Sequence, residues 1–446
     1  MISRWRSWLG PYTVLIYCAV PFAFAVVLWR GLRERGYRQG LSERFGYGRR
    51  AGGSGTTDAT ESTGPPGTIW LHAVSLGEMS AAAPLVRALR ERYPQSPLVL
   101  TTATPTGRAR AHSLFGADVD VRFLPYDTPG AVSRFLERIR PRLALIMETE
   151  IWPNLYLECE RRGIPLVLAS ARLSANSVVR YQRFGGLFRG IFSASSLVAA
   201  QTTMDAERFL AIGALSARTR VVGNIKFDLE LGAGVMNRGR ESRRTMGGTR
   251  PTWIAGSTHA GEEEQVLAAH AELLRGEPDA LLLLVPRHPD RFEAVAELLN
   301  RRNVRFTRRN GGVIPDAATT VVLVDTVGEL AALYASADVA FVGGSLVPIG
   351  GHNLLEPAAL GVPVLTGPSH SNAKDIAQSL LAQGAAVQVA DAREMAAALL
   401  RLLHDPAERQ RMGNSGRQII EANRGSVSRL LELIEALLRD SARPGR

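Results

Sequence analysis

Short apolar runs and helix-patterned stretches take turns along most of this chain, and that alternation limits its possible folds more than any other feature. The runs TIWLHAVSL, PLVLTTAT, VRFLPYD, LALIMETE, PLVLAS and SSLVAAQ are spaced by helical patterns at 78–93, 105–114, 130–139 and 153–162. Apolar strands spaced by helices imply a parallel sheet covered on both faces, the doubly wound α/β plan. After a polar Gly/Arg stretch at 232–250 the pattern restarts with PTWIAGST, ALLLLVP, VRFT, TVVLVD, VAFVGGS and VPVLTG. The 446 residues therefore divide into two Rossmann-like domains, in keeping with a length beyond what one core absorbs. Residues 392–446 are almost wholly helical and end in VSRLLELIEALLRD, which is able to pack back across the first domain. Ligands of open α/β sheets collect beyond the carboxyl ends of the strands, so a cleft between two facing domains is the expected working site.

The net charge of +11 points to an anionic partner: nucleic acid, a lipid surface or a phosphorylated substrate. Its location narrows the choice. Residues 1–50 hold nine arginines (Arg4, Arg6, Arg30, Arg33, Arg35, Arg38, Arg44, Arg49, Arg50) against Glu34 and Glu43, which places seven of the eleven charges there. Between Arg6 and Arg30, the segment from Pro11 to Trp29 is nineteen residues without a formal charge, close to the ~20 that a helix needs to cross hydrocarbon. No small-x-small cleavage site follows it, so a retained transmembrane anchor helix is expected rather than a signal peptide. Its arginine-rich C-terminal flank predicts a single-pass protein of the inner membrane with the catalytic domains in the cytoplasm. Pro21 leaves a monotopic anchor open as the alternative. Arg172, Arg180, Arg183 and Arg189 interleave with Tyr181, Phe184, Leu187, Phe188, Ile191 and Phe192, which fits either a face resting on anionic lipid or an ordinary helix with one buried side. The domain plan is an anchor and basic segment at 1–50, a flexible loop at 51–67, a first domain at 68–240 and a second at 241–446. Two cysteines, Cys18 and Cys159, with no CxxC or HExxH, exclude a disulfide framework and a structural zinc site. A nucleic-acid binder is disfavoured because the charge clusters beside the anchor and no nucleic-acid module is recognisable.

Several constellations carry chemistry. In WLHAVSLGE a strand ends at a Gly turn and Glu78 opens a helix; that carboxylate can serve as a base or, through Ser75-x-x-Glu78, as a capping box. Glu148 and Glu150 lie two apart at the end of another strand, so both can share one side and raise one another's pKa. Asp118-x-Asp120 reads as turn or capping chemistry, and no metal site is expected. Lysine is nearly absent: 51 of 53 basic residues are arginine, and Lys226, in GNIKFD, is one of two exceptions, suited to placing a compact charge on an anion. In the second half, Arg287 follows a strand at PRHP, where it can grip phosphate or carboxylate. Gly343-Gly344-Ser345 and Gly350-Gly351-His352-Asn353 precede the helix LLEPAALG, where glycines let backbone donors approach a phosphate. Asn353-x-x-Glu356 reads as a cap, a ribose contact or both. Neither GxGxxG nor a P-loop occurs.

Taken in order, WLHAVSLGE, METEIWPN, ARLS, GNIKFD, AGSTHAGEE, PRHPDR, VGELAALYASADVAFVGGS and GGHNLLEPAALGVPVLTGP cover nearly the whole chain. The sequence resembles the 3-deoxy-D-manno-octulosonic acid (Kdo) transferases of lipopolysaccharide synthesis, membrane-anchored glycosyltransferases of GT-B architecture. The departures are the loop at 51–67 and Ser170, where the family pattern leads one to expect asparagine. The resemblance implies Glu78 as general base, with Glu148 and Lys226 stabilising the transition state. It implies that Pro286, Arg287, Val327, Gly328, Glu329, Asn353, Leu354, Leu355 and Glu356 hold the CMP part of the donor substrate, CMP-Kdo. No cofactor or metal is implied. The implied acceptor is a lipid A precursor, with anionic inner-membrane lipids as the surrounding partner and no nucleic acid. Another membrane-associated GT-B glycosyltransferase using a nucleoside diphosphate sugar is the alternative.

Overall fold

The computed structural model describes residues 6–48, 67–116, 119–183, 185–194, 196–229 and 231–441; the loop at 51–66, Arg4, Arg49, Arg50, Asp118 and Phe184 lie outside them. The chain forms two compact units, Met1–Asp228 with Arg424–Arg446, and Leu229–Asn423. Each is built on a parallel sheet of seven strands.

The first sheet contains β1 (Thr68–His72), β2 (Leu98–Thr102), β3 (Asp120–Phe123), β4 (Pro141–Met147), β5 (Leu166–Ala171), β6 (Ser196–Ala200) and β7 (Thr219–Val221), in the order β3-β2-β1-β4-β5-β6-β7. Alternate side chains face opposite ways, so Trp70, Ile146 and Leu168 enter the core on one face while Leu71, Leu145 and Val167 enter it on the other. Both faces are covered, which is why these strands read as continuous apolar runs. The buried Trp70 indole donates to Thr101 Oγ1 at 2.8 Å. His72 sets Nδ1 against the same hydroxyl at 2.9 Å, and burial pushes its pKa down to about 4, so it packs as a neutral ring. The strand order runs outward from β1 to β3, then returns to β4 and proceeds the other way. The topological switch lies between β1 and β4.

The second sheet repeats the plan with β8 (Thr252–Thr258), β9 (Leu281–Pro286), β10 (Phe306–Arg308), β11 (Val321–Leu323), β12 (Val339–Val342), β13 (Val364–Thr366) and β14 (Ala386–Gln388). Its order, β10-β11-β9-β8-β12-β13-β14, puts the switch between β8 and β12.

The units are not divided at 240/241. The helix Val235–Ser242 packs on the helix Leu330–Tyr334 of the second unit, so closely that a Cβ on Gly239 would stand 2.5 Å from Ala335 Cβ. The last helix, Ser426–Ser441, belongs to the first unit. Its Val427, Leu430 and Ile434 are buried in the same cluster as Leu71, Val222 and Ile225. The Asp228 carboxylate accepts from Gly425 N at 2.6 Å and Val427 N at 2.5 Å, capping the helix start, and Arg429 Nε donates to Val222 O at 2.9 Å.

The chain opens with a 28-residue helix, Arg6–Arg33. Within it Leu9–Arg33 includes an 18-residue window of mean hydropathy 2.0, long and apolar enough to cross a bilayer. Not every arginine counted in the basic flank is available to lipid. Arg44 is buried, with Nη2 donating to Ala103 O at 3.1 Å and its guanidinium 4.3 Å from the centre of the Phe123 ring. The stretch after β5 forms two helices, Ala175–Arg183 and Gly185–Ala194. Arg180, Arg183 and Arg189 point to solvent while Leu187, Ile191 and Phe192 are buried.

Candidate active site

In the first unit the candidate residues gather at the carboxyl ends of the strands beside the switch. β1 ends at His72, and three residues later Ser75 caps the helix Leu76–Ala81, its Oγ accepting from Glu78 N at 3.3 Å. Glu78 answers by accepting from Val74 N with Oε2 at 2.8 Å. The capping role is therefore real, and it occupies one carboxylate oxygen. Among the described residues Oε1 accepts no hydrogen bond, and the side chain is half-buried. Burial raises the Glu78 pKa to about 7; the Val74 N–H opposes this, the charges of Glu148 and Glu150 add to it, and Lys226 pulls the other way.

Beyond β4, Glu148 adopts a left-handed backbone with φ 53°, so the two-residue alternation of the strand stops before it can align Glu148 with Glu150. Glu148 N donates to Ala169 O at 3.0 Å, and Lys226 Nζ donates to Glu148 Oε1 at 3.1 Å. Lys226 reaches it from the turn after β7, where Asn224 Oδ1 accepts from Lys226 N at 3.0 Å. Arg172, which the sequence grouped with a lipid-facing stretch, instead places Nε 3.5 Å from Glu148 Oε2. Glu150 is also raised, by burial foremost, with the charge of Glu148 adding to it. The result is three carboxyls and two cations at one sheet edge. Close by, Ser170 also has a left-handed backbone, φ 53°, which favours asparagine over serine and accounts for the residue expected there. Asp120 opens β3 and accepts from Arg122 Nε at 2.9 Å within the same strand, an ion pair and not the turn or cap read from the sequence.

In the second unit the Gly-rich turn after β12 differs from the sequence reading. Its amides are occupied from within. Glu262 is fully buried, and its carboxylate accepts from Gly344 N at 2.7 Å, from Ser345 N and Leu346 N at 2.9 Å, and from His259 N at 3.1 Å. Gly343 is required there, because a Cβ would stand 2.4 Å from Ser257 O. The helix after the second glycine pair is short, Leu355–Leu360, and Asn353 caps it: Oδ1 accepts from Leu355 N at 3.1 Å while Nδ2 donates to Glu356 Oε1 at 3.1 Å. Pro286 ends β9, and Arg287, tied by its backbone N–H to Thr258 O at 2.9 Å, leaves its guanidinium exposed with no partner among the described residues. Beyond β11, Val327 is 78% exposed, Gly328 has φ 92°, and Glu329 accepts from Thr326 Oγ1 at 2.7 Å.

Sequence reasoning passed over three histidines at this edge. His259 and His352 stack with ring centroids 5.0 Å apart and Nε2 atoms 2.7 Å apart, and His288 stands edge-on to His259 at 5.5 Å. Burial pushes His352 down to about 4, with the charge of Arg287 adding to it. Two neutral rings beside a free arginine form a cationic but proton-poor rim suited to an anion. For two of them the signal was available, since His259 and His288 follow strand ends in STHAG and PRHP, whereas His352, in GGHN, lies ten residues beyond its strand. Glu262 gave no such signal, because a glutamate opening a helix looks like any first-turn carboxylate.

The chain is similar to known proteins in sequence and in fold. Residues 39–229 fit the family profile described as 3-deoxy-D-manno-octulosonic-acid transferase (kdotransferase), and 317–419 fit glycosyl transferases group 1. The chain is 40% identical over 434 residues to the 3-deoxy-D-manno-octulosonic acid transferase of Haemophilus influenzae, spanning 97% of this chain and 99% of that one. It is 39% identical over 435 residues to the Bordetella pertussis protein of the same name, spanning 96% and 98%. Among solved structures, the UDP-GlcNAc 2-epimerase from Neisseria meningitidis bound to UDP-GlcNAc aligns with a TM-score of 0.54 at 15% identity, over 83% of this chain and 100% of its own. That likeness is one of fold: two doubly wound α/β units of the GT-B kind.

Proposed function

The chain belongs to the 3-deoxy-D-manno-octulosonic acid (Kdo) transferase family and is a glycosyltransferase, and from that premise we propose that it moves Kdo from CMP-Kdo onto a lipid A precursor, lipid IVA, with inversion. Glu78 acts as general base. Its free oxygen takes the proton of the acceptor hydroxyl as that oxygen attacks the anomeric carbon of Kdo, and the bond to the CMP phosphate breaks with its electron pair leaving on CMP. Glu148 and Lys226 stabilise the oxocarbenium-like state and the Kdo carboxylate respectively, and Arg172, on the same carboxylate, adds to the cationic side.

In this reading the second unit holds the donor. Arg287 neutralises the departing phosphate, Val327–Glu329 and Asn353–Glu356 border the nucleotide, and Pro286 fixes the strand end that aims Arg287. One leaving phosphate met by arginine needs no metal and no cofactor, so activity is expected to persist in EDTA. The anchor keeps the enzyme at the cytoplasmic face of the inner membrane, where an acylated acceptor resides. The observation that carries the proposal is a carboxyl with one unbonded oxygen and a pKa raised to about 7, set beside Glu148 at the switch point of the first sheet. Incubating purified protein with CMP-Kdo and tetraacylated lipid A precursor and weighing the products tests it. A mass gain of one or more Kdo residues is the expected result; no gain with CMP-Kdo but transfer from a nucleoside diphosphate sugar overturns it.

A further inference from the structure

The first helix reads as a membrane span by length and composition, yet it is not free on all sides. A helix crossing a bilayer ahead of a cytoplasmic domain meets lipid around its whole circumference, and its two ends lie in different compartments, about 30 Å of hydrocarbon apart. Here one stripe, Leu9, Ile16, Val20, Phe24 and Val27, is half-exposed where the rest of the helix is mostly fully exposed, and it ends at the buried Gly31. The spacing of three and four residues is that of a single helix face.

The contacts along the stripe are specific at both ends. Near the start, Tyr12 OH donates to Asp127 Oδ2 at 2.8 Å and Thr13 Oγ1 donates to Asn154 Oδ1 at 3.0 Å. Asp127 is itself buried and holds the first turn of the helix Pro153–Arg161 by accepting from Asn154 N and Leu155 N. Leu9 and Tyr12 pack on the apolar cluster that includes Leu187 and Ile191. Further on, Phe24 meets Phe45 edge-to-face at 5.2 Å, and Gly31 O accepts from Arg38 Nε at 2.6 Å. A helix of 28 residues is about 42 Å long; its first turns pack beside the helices Pro153–Arg161 and Gly185–Ala194, and its later turns meet the segment 35–45 that follows it.

The opposite face is apolar and open: Val14, Leu15, Phe22 and Leu32 are 64%, 65%, 75% and 72% exposed. Arginines rim it. Arg30, Arg33 and Arg35 are exposed at its C-terminal end, with Arg33 over the Trp29 ring at 4.9 Å; Arg189 is exposed on the helix Gly185–Ala194 that packs beside it, and Arg180 and Arg183 on the helix before that one. An apolar ridge edged by arginine, tryptophan and tyrosine matches an anionic lipid surface.

We infer that the helix Arg6–Arg33 lies along the membrane surface, one face on the first unit and the other sunk among anionic lipids, and does not cross the bilayer. This explains why it looks like a span: it is apolar all round because protein covers one side and lipid the other. The inference rests on the proposed membrane setting of the enzyme, but not on which leaflet it occupies.

Epitope tags at the two ends of the full-length chain test it. The C-terminal segment belongs to the first unit, so it reports where that unit lies. Protease is added to sealed inverted vesicles and, separately, to intact spheroplasts. Both tags lost from the same preparation is the expected result, and loss from opposite preparations overturns the inference while leaving the transferase reading intact. Recovery of the protein in the soluble fraction overturns the membrane setting itself and the inference with it. As a second readout, the Thr13→Cys/Asn154→Cys pair in a Cys18→Ser background forms a disulfide in native membranes if the helix is docked, and none if it spans.

Discussion

At neutral pH the Glu78 carboxyl is divided between its two protonation states, because burial lifts it to about 7. A base in that position gives kcat/KM that climbs tenfold per pH unit below about 7 and levels off above it. The neighbours fix how that limb moves. Removing the negative charge in Glu148→Gln lowers the Glu78 pKa and shifts the limb to more acidic pH; removing the positive charge in Lys226→Met shifts it to more alkaline pH. A pH–rate series on the two variants checks this, and shifts of the same sign would contradict the arrangement. Glu78→Gln should keep CMP-Kdo binding while turnover falls by roughly 10²–10⁴, measured as steady-state rate beside calorimetric binding. The sign for stability is the reverse of that for activity. A carboxyl held more tightly protonated in the folded chain than at its ordinary 4.5 favours folding below that value, and the contribution is lost as pH rises through about 7. Spacing alone left Glu78 between a base and the capping box that the structure displays, and only the resemblance of WLHAVSLGE to the Kdo transferases singled it out as a base. The positive φ of Glu148 and Ser170 was not legible in the sequence, since neither residue type announces a left-handed backbone.

Elements here are held at their ends as much as along their faces. The turn after β12 depends on one carboxylate that satisfies four amides, three of them in Gly344, Ser345 and Leu346. Glu262→Gln turns one acceptor oxygen into a donor facing buried N–H groups, and should cost about 3 kcal/mol or more in the second unit. Thermal unfolding and nucleotide binding both read it; an unchanged melting temperature would mean the turn holds its shape unaided. Asp228→Ala removes the cap of the helix Ser426–Ser441 and should cost about 1–2 kcal/mol, seen as faster amide exchange confined to 425–430. The alternation of strands and helices was readable because parallel strands covered on both faces must be apolar throughout. What fills an amide-lined turn was not. Glycines permit close approach, but an internal carboxylate and an external phosphate make the same demand on them, and only the fold brings Glu262 to Gly344 and Ser345.

The chain crosses from the first unit to the second and then returns, so its last helix belongs to the unit made first. The sequence pattern pointed to that helix packing back across the first domain, although the domain plan counted all of 241–446 in the second. The ownership has energetic weight. Val427, Leu430 and Ile434 are 8%, 0% and 0% exposed, and burying three such side chains contributes roughly 6 kcal/mol, comparable with the whole stability of a typical domain at about 5–15 kcal/mol. Ending the chain at Asn423 removes that cover from Leu71, Val222 and Ile225 while leaving every strand of the second sheet intact. The second unit also keeps Arg287, Val327–Glu329 and Asn353–Glu356, the residues proposed to hold the nucleotide. A 1–423 protein should therefore lose transfer activity and the calorimetric transition of its first unit, yet bind CMP with nearly the affinity of the full chain. If CMP affinity falls together with activity, donor binding draws on the first unit as well, and the division of labour proposed for the two units is wrong.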